Sequence, residues 1–150
     1  MHATSLIARH QLLPHPEGGY YRETWRAERV LPGTTRSVGT AILYLLPEGQ
    51  CSRLHRLDAD EVWHFHQGGG LQIVELGAEG ARVTVLGAEH PQHVVRAGSW
   101  FGSTPVAGAG HCFVGCTVTP GFEFAHFELG HREALLREFP HARDWVERLT

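Results

Sequence analysis

The chain has 150 residues, of which 42% are hydrophobic and 19% are charged, so its length and composition predict one globular domain spanning residues 1–150. Its net charge of -3 with neutral histidines provides no basic surface, which argues against nucleic-acid binding. The longest apolar run, residues 41–46, is far shorter than the roughly 20 residues that a membrane-spanning helix requires. The first residues also lack the layout of a signal peptide, so we expect a cytoplasmic protein without membrane association.

Eighteen glycines and eight prolines, spread between β-branched and aromatic clusters, predict a mainly β protein built from many short strands. The first element is different, because Thr4 or Ser5 can cap a short helix that extends to about Gln11. A strand is expected to follow from the paired tyrosines onward. Gly18 and Gly19, just before that strand, are expected to supply a turn or bulge.

Short apolar segments with turn residues between them occupy most of the remaining chain, which is typical of sandwiches and barrels. The expected strands are residues 40–46, 71–76, 81–87, 92–98, 111–118 and 122–129. From about His131 the period changes to that of helices, with Leu135, Leu136 and Phe139 on one side of the first helix and Trp145 in the second. The predicted fold is therefore mainly β, with a short N-terminal helix and C-terminal helices.

One stretch, GQCSRLHRLDADEVWHFHQG at residues 49–68, has the spacing of a known motif. Gly49, His55, Glu61 and Gly68 match the pattern G-x5-H-x-H-x3,4-E-x6-G, whereas Leu57 stands at the position of the second histidine. This pattern is the first motif of the cupin superfamily, so the chain resembles a cupin with one motif histidine replaced. In metal-binding cupins both histidines and the glutamate are ligands. The resemblance therefore implies the scaffold of a metal site with one ligand missing.

Other segments carry a closer resemblance. They are HPEGGYY at 15–21, SRLHRLDADEVWHFHQG at 52–68, GSWF at 98–101 and VGCTVTPGFEF at 114–124. Together they are similar to the small stand-alone cupins grouped as a domain of unknown function, the fifth cupin family. The resemblance implies a single cupin domain with an RmlC-like jelly-roll barrel, also called a double-stranded β-helix. It further implies a homodimer and a ligand pocket of isomerase or epimerase type, with no reaction shared across the family.

His55 and Glu61 are the central candidate residues for this site. They lie on consecutive predicted strands joined by a turn at residues 57–60, so a hairpin can bring both side chains together. If Glu61 points inward, strand alternation makes Trp63 and Phe65 point inward too. The result would be a pocket with one carboxylate and aromatic walls, as is usual for small-molecule sites. The alternative is a buried His–Glu pair that only stabilises the barrel.

Further side chains are candidates for contact with a substrate in the pocket. They are Tyr20, Arg22, Tyr44, Arg53 and His111. A tyrosine can donate a proton to a bound substrate, and an arginine can hold an anionic group.

The first functional hypothesis is a metal-independent isomerase or epimerase that acts on a small polar, sugar-like metabolite. Such a reaction removes a proton next to a carbonyl group. His55, held by Glu61 in the tautomer that leaves one nitrogen free, would suit the role of base near pH 7. Tyr20 would return the proton, and no cofactor is expected.

Two other hypotheses stay open at this point. His55, Glu61 and His111 would together form a two-histidine, one-carboxylate triad for a divalent metal such as Fe, Zn, Ni or Mn, as in a metal-dependent dioxygenase or lyase. The strand that contains His111 is more apolar on its other face, which argues against this triad. The last hypothesis is a binding or sensing module without turnover.

Overall fold

The computed structural model describes residues 2–150, and in this range the chain forms two antiparallel sheets. The strands are β1 (Leu13–Pro14), β2 (Tyr20–Arg26), β3 (Thr40–Pro47), β4 (Ser52–Leu57), β5 (Asp60–Gly68), β6 (Leu71–Gly77), β7 (Gly80–Leu86), β8 (Gln92–Val95), β9 (Phe101–Pro105), β10 (His111–Thr119) and β11 (Phe127–Leu129). The first sheet has the order β1-β2-β3-β10-β5-β8, and the second has the order β11-β4-β9-β6-β7. The prediction of a mainly β fold is confirmed.

The main hydrophobic core lies between the two sheets. Tyr44 and Trp63 enter it from the first sheet, and Ile73 and Phe101 enter it from the second. Each of these side chains is at most 1% exposed. Burying each large apolar side chain in this way stabilises the folded state by about 1.5–3 kcal/mol.

Strand β3 is apolar on both faces because both of its faces are covered. Tyr44 and Leu46 point into the main core. Leu45 points the other way and packs against Leu6 of helix α1 (Ala3–His10) and against Phe113. Helix α1 therefore closes the outer face of the first sheet at this strand.

The three helices agree with the predicted pattern, although the start of the first differs. Helix α1 begins at Ala3 with His2 as its N-cap, and the cap makes no side-chain hydrogen bond. The predicted cap at Thr4 or Ser5 was therefore wrong. Helices α2 (Arg132–Glu138) and α3 (Arg143–Arg148) cover the outer face of the second sheet. Within residues 2–150, no helix combines the length and the apolar character needed to cross a membrane.

The expected strand over residues 122–129 is shorter in the structure. A 3-10 turn occupies Phe124–His126, and only β11 remains as strand. Arginine side chains hold the chain just before this turn, since Arg36 Nε donates to Gly121 O at 2.9 Å and Arg26 Nη2 donates to Phe122 O at 2.8 Å. A carbonyl oxygen that accepts a side-chain donor is less available for strand pairing, so the segment bends across one end of the sheets.

Candidate active site

A cavity of about 360 Å³ opens at the end of the sheets next to this bent segment. Carboxyl and imidazole side chains line one part of it: His15, Glu17, Glu23, His55, Glu61 and Glu123. Arg22, Arg26 and Thr40 line it as well, and the remaining lining is mostly apolar or aromatic, including Tyr21, Ile42, Leu57, Val118, Phe122 and Phe124. A concave site of this size with a few polar groups suits a small molecule.

Glu17 reaches the cavity from the segment that precedes β2, and the predicted glycine turn positions it there. Gly18 and Gly19 have φ angles of 116° and 70°, in the region where glycine is strongly favoured. A Cβ atom at Gly18 would collide with the main-chain oxygen of Cys51. The segment therefore lies directly against the chain that leads into β4.

Hydrogen bonds from β4 hold Glu17 in place. The main-chain N–H of Arg53 donates to Glu17 O at 2.8 Å, and Ser52 Oγ donates to Glu17 Oε1 at 2.8 Å. Ser52 is fully buried and Glu17 is 7% exposed. One carboxyl oxygen of Glu17 is thus fixed, and the other, Oε2, faces two histidines.

His55 forms a unit with this free oxygen of Glu17. Its Nδ1 lies 2.7 Å from the main-chain oxygen of Arg53, and because a carbonyl only accepts, Nδ1 must carry a proton. Its Nε2 lies 3.3 Å from Glu17 Oε2. Lone pairs on both atoms would repel each other, so a proton between them, either on the imidazole or on the carboxyl group, holds the two side chains together. The tautomer of His55 is set by Arg53 O and not by Glu61 as expected.

His15 completes the surroundings of Glu17. Its Nδ1 accepts a hydrogen bond from the main-chain N–H of Glu17 at 3.2 Å and lies 3.6 Å from Glu17 Oε2. Burial lowers the pKa of His15, Glu17 opposes this shift, and His55 adds to it. His15 is therefore neutral near pH 7, and its imidazole acts as a polar neighbour rather than as a cation.

Glu61 is the most deeply buried carboxyl group of the cavity besides Glu17, and it is protonated near neutral pH. It is 7% exposed, and its Oε2 makes no hydrogen bond to any residue in the range 2–150. Burial, followed by the Glu17 carboxylate, raises the pKa of Glu61 to about 8. At pH 7 the group is mostly a neutral carboxylic acid, which can donate a proton or a hydrogen bond.

Cys116 also lines the cavity. Burial, with the carboxyl groups of Glu61 and Glu17 as further causes, raises the pKa of the Cys116 thiol well above its ordinary value. The thiolate is the reactive form of cysteine. Cys116 is therefore a poor nucleophile and serves as an apolar wall.

The structure brings His55 and Glu61 to the same cavity, as predicted, but it places most of the other candidates elsewhere. Tyr44 is buried in the core, where its hydroxyl donates to Gly18 O at 2.7 Å. Tyr20 packs with helix α1, and the Arg53 guanidinium donates to Pro16 O. None of these three side chains lines the cavity.

Trp63 and Phe65 do point inward as predicted, yet they reach the core and not the cavity. Trp63 packs edge-on against Tyr44 and Phe101, with ring centroids 5.9 and 6.2 Å apart. Phe65 packs against the same cluster. The aromatic side chains that do line the cavity are Tyr21, Phe122 and Phe124.

Arg22 borders the cavity, but its strand does not aim it inward. Tyr21 and Glu23 pair with Tyr44 and Ile42, whereas Arg22 pairs with Leu43. Alternation along β2 therefore turns Arg22 to the outer face. Its Nε is buried without a hydrogen-bond partner in the described part of the chain.

His111 does not join His55 and Glu61, so the triad expected for a metal is not assembled. It lines a separate surface pocket with His2 and Thr4. Cys112, its neighbour, enters the core, and alternation turns His111 to the other face. Cys116 in the cavity lies five positions along β10, about 16 Å away at 3.3 Å per residue. Among residues 2–150, no group of three His, Cys, Asp or Glu side chains is arranged to hold a metal ion.

Glu17 and His15 are the residues that sequence reasoning missed. Both lie in the HPEGGYY segment, which carries part of the family resemblance and leads into a strand. The available signal was a charged residue directly before two glycines. It could have marked a side chain held at a constrained turn, but it did not indicate which strand the turn contacts.

This chain belongs to the cupin superfamily: the family described as Cupin superfamily (DUF985) matches residues 4–130. The resemblance to the fifth cupin family is confirmed. No curated protein matches the chain.

Two solved structures are similar over the whole chain. A protein from Shewanella oneidensis is 38% identical, with a TM-score of 0.92, and the match covers 100% of this chain and 98% of that one. A hypothetical protein from Leishmania major is 31% identical, with a TM-score of 0.93, and the match covers 100% and 99%. The similarity therefore extends from the first helix to the last.

More distant structures share the fold alone. A cupin 2 domain-containing protein from Halorhodospira halophila is 14% identical, with a TM-score of 0.62 and coverage of 92% of this chain and 86% of that one. An oxalate decarboxylase from Lactobacillus farciminis is also 14% identical, with a TM-score of 0.60 and coverage of 95% and 42%. The cupin jelly roll is thus confirmed, and the cupin fold is compatible with a small-molecule ligand.

Proposed function

We propose that the protein is an isomerase or epimerase-like enzyme that moves a proton next to the carbonyl group of a small polar, sugar-like metabolite. One observation carries the proposal: a His–Glu pair and a separate protonated carboxyl group line one cavity. Two acid–base groups in different protonation states are what a proton transfer through an enolate requires.

In this mechanism, the Glu17–His55 pair is the base. The Glu17 carboxylate accepts the proton from carbon, while Ser52 and His55 hold it in position. This changes the role of His55 from the base itself, as expected from sequence, to the partner of the base. The change follows from the 3.3 Å contact between His55 Nε2 and Glu17 Oε2.

Glu61 is the acid. Its protonated carboxyl group donates a hydrogen bond to the substrate carbonyl and stabilises the negative charge that develops there when the carbon proton leaves. Tyr20, which was expected to return the proton, does not line the cavity, so in this mechanism the protonated Glu17 itself returns the proton to carbon and becomes a carboxylate again. Every step uses side chains of this chain.

The remaining lining supports a ring-shaped substrate. Phe122, Phe124 and Tyr21 present apolar surface, against which the C–H face of a sugar-like ring can pack. The volume of about 360 Å³ lies at the lower end of the range for small-molecule sites, roughly 300–1,000 Å³. A monosaccharide-sized molecule fits this range.

Proton exchange with heavy water tests the function across a whole class of substrates at once. A panel of aldoses and ketoses is incubated with the protein in D2O, and loss of the proton next to the carbonyl is followed by NMR. We expect exchange with wild type and a loss of at least about 100-fold in Glu17→Gln and in Glu61→Gln.

His64→Ala is the matched control, because His64 lies on the same strand as Glu61 but bonds to Thr117 and Gln92 outside the cavity. It should exchange like wild type. Exchange that persists unchanged in both glutamine variants would refute the proposed base and acid. Binding of a panel member without exchange would instead favour a binding or sensing module.

The setting of this activity is also a proposal. We infer a single-domain homodimer in the cytoplasm that acts on a small molecule, without nucleic-acid or membrane partners. Large apolar side chains exposed on the first two strands, Leu13 at 67% and Trp25 at 51%, support a partner subunit. Light scattering should give twice the chain mass, and a monomer would contradict the dimer.

A further inference from the structure

Four carboxyl groups line the cavity, those of Glu17, Glu23, Glu61 and Glu123. Glu61 is protonated near neutral pH and Glu17 is paired with His55, which leaves Glu23 and Glu123 as the remaining carboxylates of the cavity. Arg26 lines it as well, but its guanidinium donates to both oxygens of Glu23, at 2.9 and 2.8 Å. These two charges neutralise each other, so Arg26 leaves no free positive charge for an anionic ligand.

Arg22 does not change this balance. It pairs with Leu43, on the face of β2 opposite to Tyr21 and Glu23. The two histidines do not supply a free cation either, because burial keeps His15 neutral and His55 is engaged with Glu17. The cavity is therefore better suited to a cationic ligand than to a carboxylate or a phosphate.

The inner end of the cavity requires a polar group from a ligand. Glu61 is 7% exposed, lines the cavity, and leaves its Oε2 without a partner in the chain from residue 2 onward. A buried polar atom without a hydrogen bond is unfavourable, so a bound molecule that satisfies it gains affinity. This unpaired oxygen therefore orients a bound ligand so that its carbonyl end points toward Glu61.

The mouth of the cavity combines a carboxylate with aromatic rings. Glu123 stands between Phe122 and Phe124 in the chain, and all three residues line the cavity. The two rings are 5.0 Å apart at an interplanar angle of 86°, and Phe124 is 50% exposed. Glu123 has His126 as an ion-pair partner at the long distance of 3.8 Å, and it interacts at longer range with Arg26, whose guanidinium is already engaged with Glu23. A carboxylate next to ring faces is the arrangement that attracts an organic ammonium group.

We propose that the cavity takes an amine-bearing molecule, such as an amino sugar, whose ammonium group lies at the mouth against Glu123, Phe122 and Phe124. The inference rests on the proposed function, because it names the substrate class of the same site. The carbonyl end of the molecule then points inward to Glu61, and the ammonium end stays near the solvent.

Three probes with the same ring and different charges test the inference. They are D-glucosamine, D-glucose and D-glucuronate, titrated below pH 7 so that the amine is protonated, with dissociation constants from NMR or calorimetry. We expect glucosamine to bind about tenfold tighter than glucose, and glucuronate to bind most weakly. Added salt should reduce the preference, because the mouth is open to solvent.

Variants of residues at the mouth test whether the preference for glucosamine over glucose arises there. Glu123→Gln should reduce the advantage of glucosamine over glucose to about twofold or less, and Phe124→Leu should reduce it in part. Glu89→Gln, which removes a carboxylate on an exposed turn away from the cavity, should leave it unchanged. A glucuronate affinity equal to or above that of glucosamine would overturn the inference. So would an unchanged preference in Glu123→Gln, or no binding of glucosamine at millimolar concentration.

The two proposals can fail separately. Tight binding of glucosamine without proton exchange on any panel member would refute the proposed enzyme activity and support the proposed cation site. Proton exchange on neutral or anionic sugars without a preference for amines would refute the proposed cation site and support the proposed enzyme activity.

Discussion

Glu61 links the acid–base chemistry of single residues to the stability of the fold. Burial and the neighbouring Glu17 raise its pKa to about 8, whereas an unfolded chain leaves a glutamate near about 4.3. Between these pH values the unfolded state loses the proton and the folded state keeps it. The contribution of Glu61 to stability is therefore fully present below about pH 4 and declines as the pH rises through about 8.

We predict that Glu61→Gln, which cannot ionise, flattens this dependence. Relative to the variant, wild type should lose up to about 1.4 kcal/mol per pH unit over this interval, measured by urea unfolding at several pH values. Glu89→Gln removes an exposed carboxylate and should follow the wild-type curve. Parallel curves for wild type and Glu61→Gln would show that Glu61 is ionised in the folded protein.

Ser52 and Ser103 are two buried serines on neighbouring strands that differ in their hydrogen bonding. They face each other between β4 and β9, and both are fully buried. Ser52 Oγ donates to Glu17 Oε1 at 2.8 Å, whereas Ser103 Oγ has no partner in residues 2–150.

We predict that Ser52→Ala lowers the free energy of unfolding by about 1–3 kcal/mol, because it leaves a buried carboxyl oxygen unpaired. Ser103→Ala removes a hydroxyl that makes no hydrogen bond, so it should be neutral or slightly stabilising. Both values come from denaturant unfolding. Equal losses in the two variants would mean that the Glu17 contact contributes nothing to stability.

The sequence predicted His55 and Glu61 but not Glu17, for a physical reason. The first two lie on strands joined by a short turn, so local geometry is enough to bring them together. Glu17 depends on the contact between Gly18 and Cys51, which joins distant parts of the chain and leaves no periodic signal. Trp63 was correctly assigned to the inner face, but alternation does not say whether an inner residue reaches the core or the cavity.

At the scale of elements, the glycine turn before β2 controls the site. Gly18 has a φ angle of 116°, and a Cβ there would meet the main-chain oxygen of Cys51. Gly33 also has positive φ, at 75°, but a Cβ there would meet nothing within 4 Å. Alanine substitutions at these two positions therefore distinguish the cost of φ strain alone from the added cost of a clash with the main chain.

We predict that Gly33→Ala costs about 1 kcal/mol of stability, from φ strain alone. Gly18→Ala should cost at least about 2 kcal/mol more, because the turn must also move away from β4. It should in addition shift the NMR signals of His55, which contacts Glu17. Similar losses in both variants would show that the segment can move without disturbing β4.

The bent segment before β11 shows why strand prediction failed there. Alternating aromatic residues over 122–129 are typical of a strand, and local propensity alone supports one. Arg26 and Arg36, from earlier parts of the chain, donate to the carbonyls of Phe122 and Gly121. Tertiary contacts thus override propensity and turn the rings of this segment toward the cavity.

At the scale of the whole molecule, Glu75 connects the edges of the two sheets. Its Oε2 accepts from Arg82 Nη2 on β7 and lies 2.8 Å from His93 Nε2 on β8. Strands β6 and β7 belong to the second sheet, and β8 is the edge of the first. Glu75 is 7% exposed, so removing it would leave the imidazole of its less exposed partner, His93, without a hydrogen bond within residues 2–150.

We predict that Glu75→Ala lowers the free energy of unfolding by about 2–4 kcal/mol, since it leaves the partly buried His93 nitrogen without its partner. The Arg82 side chain is 70% exposed, and Arg82→Ala should cost less than about 1 kcal/mol. Thermal and urea unfolding can measure both. A larger loss of stability in Arg82→Ala than in Glu75→Ala would show that the exposed ion pair with Arg82, and not the contact with His93, stabilises this junction of the sheets.

In the proposed mechanism the base, Glu17, comes from a short peptide ahead of the first long strand, whereas the acid, Glu61, and the partner of the base, His55, lie on β5 and β4. Residues 15–17 belong to no strand, so we expect substitutions there to alter the proposed base while the strand residues stay unchanged. Under the proposed function, relatives that differ in this peptide are expected to differ in the proton-transfer step on the same architecture. Directed evolution of new activities in this protein can therefore concentrate its diversity there.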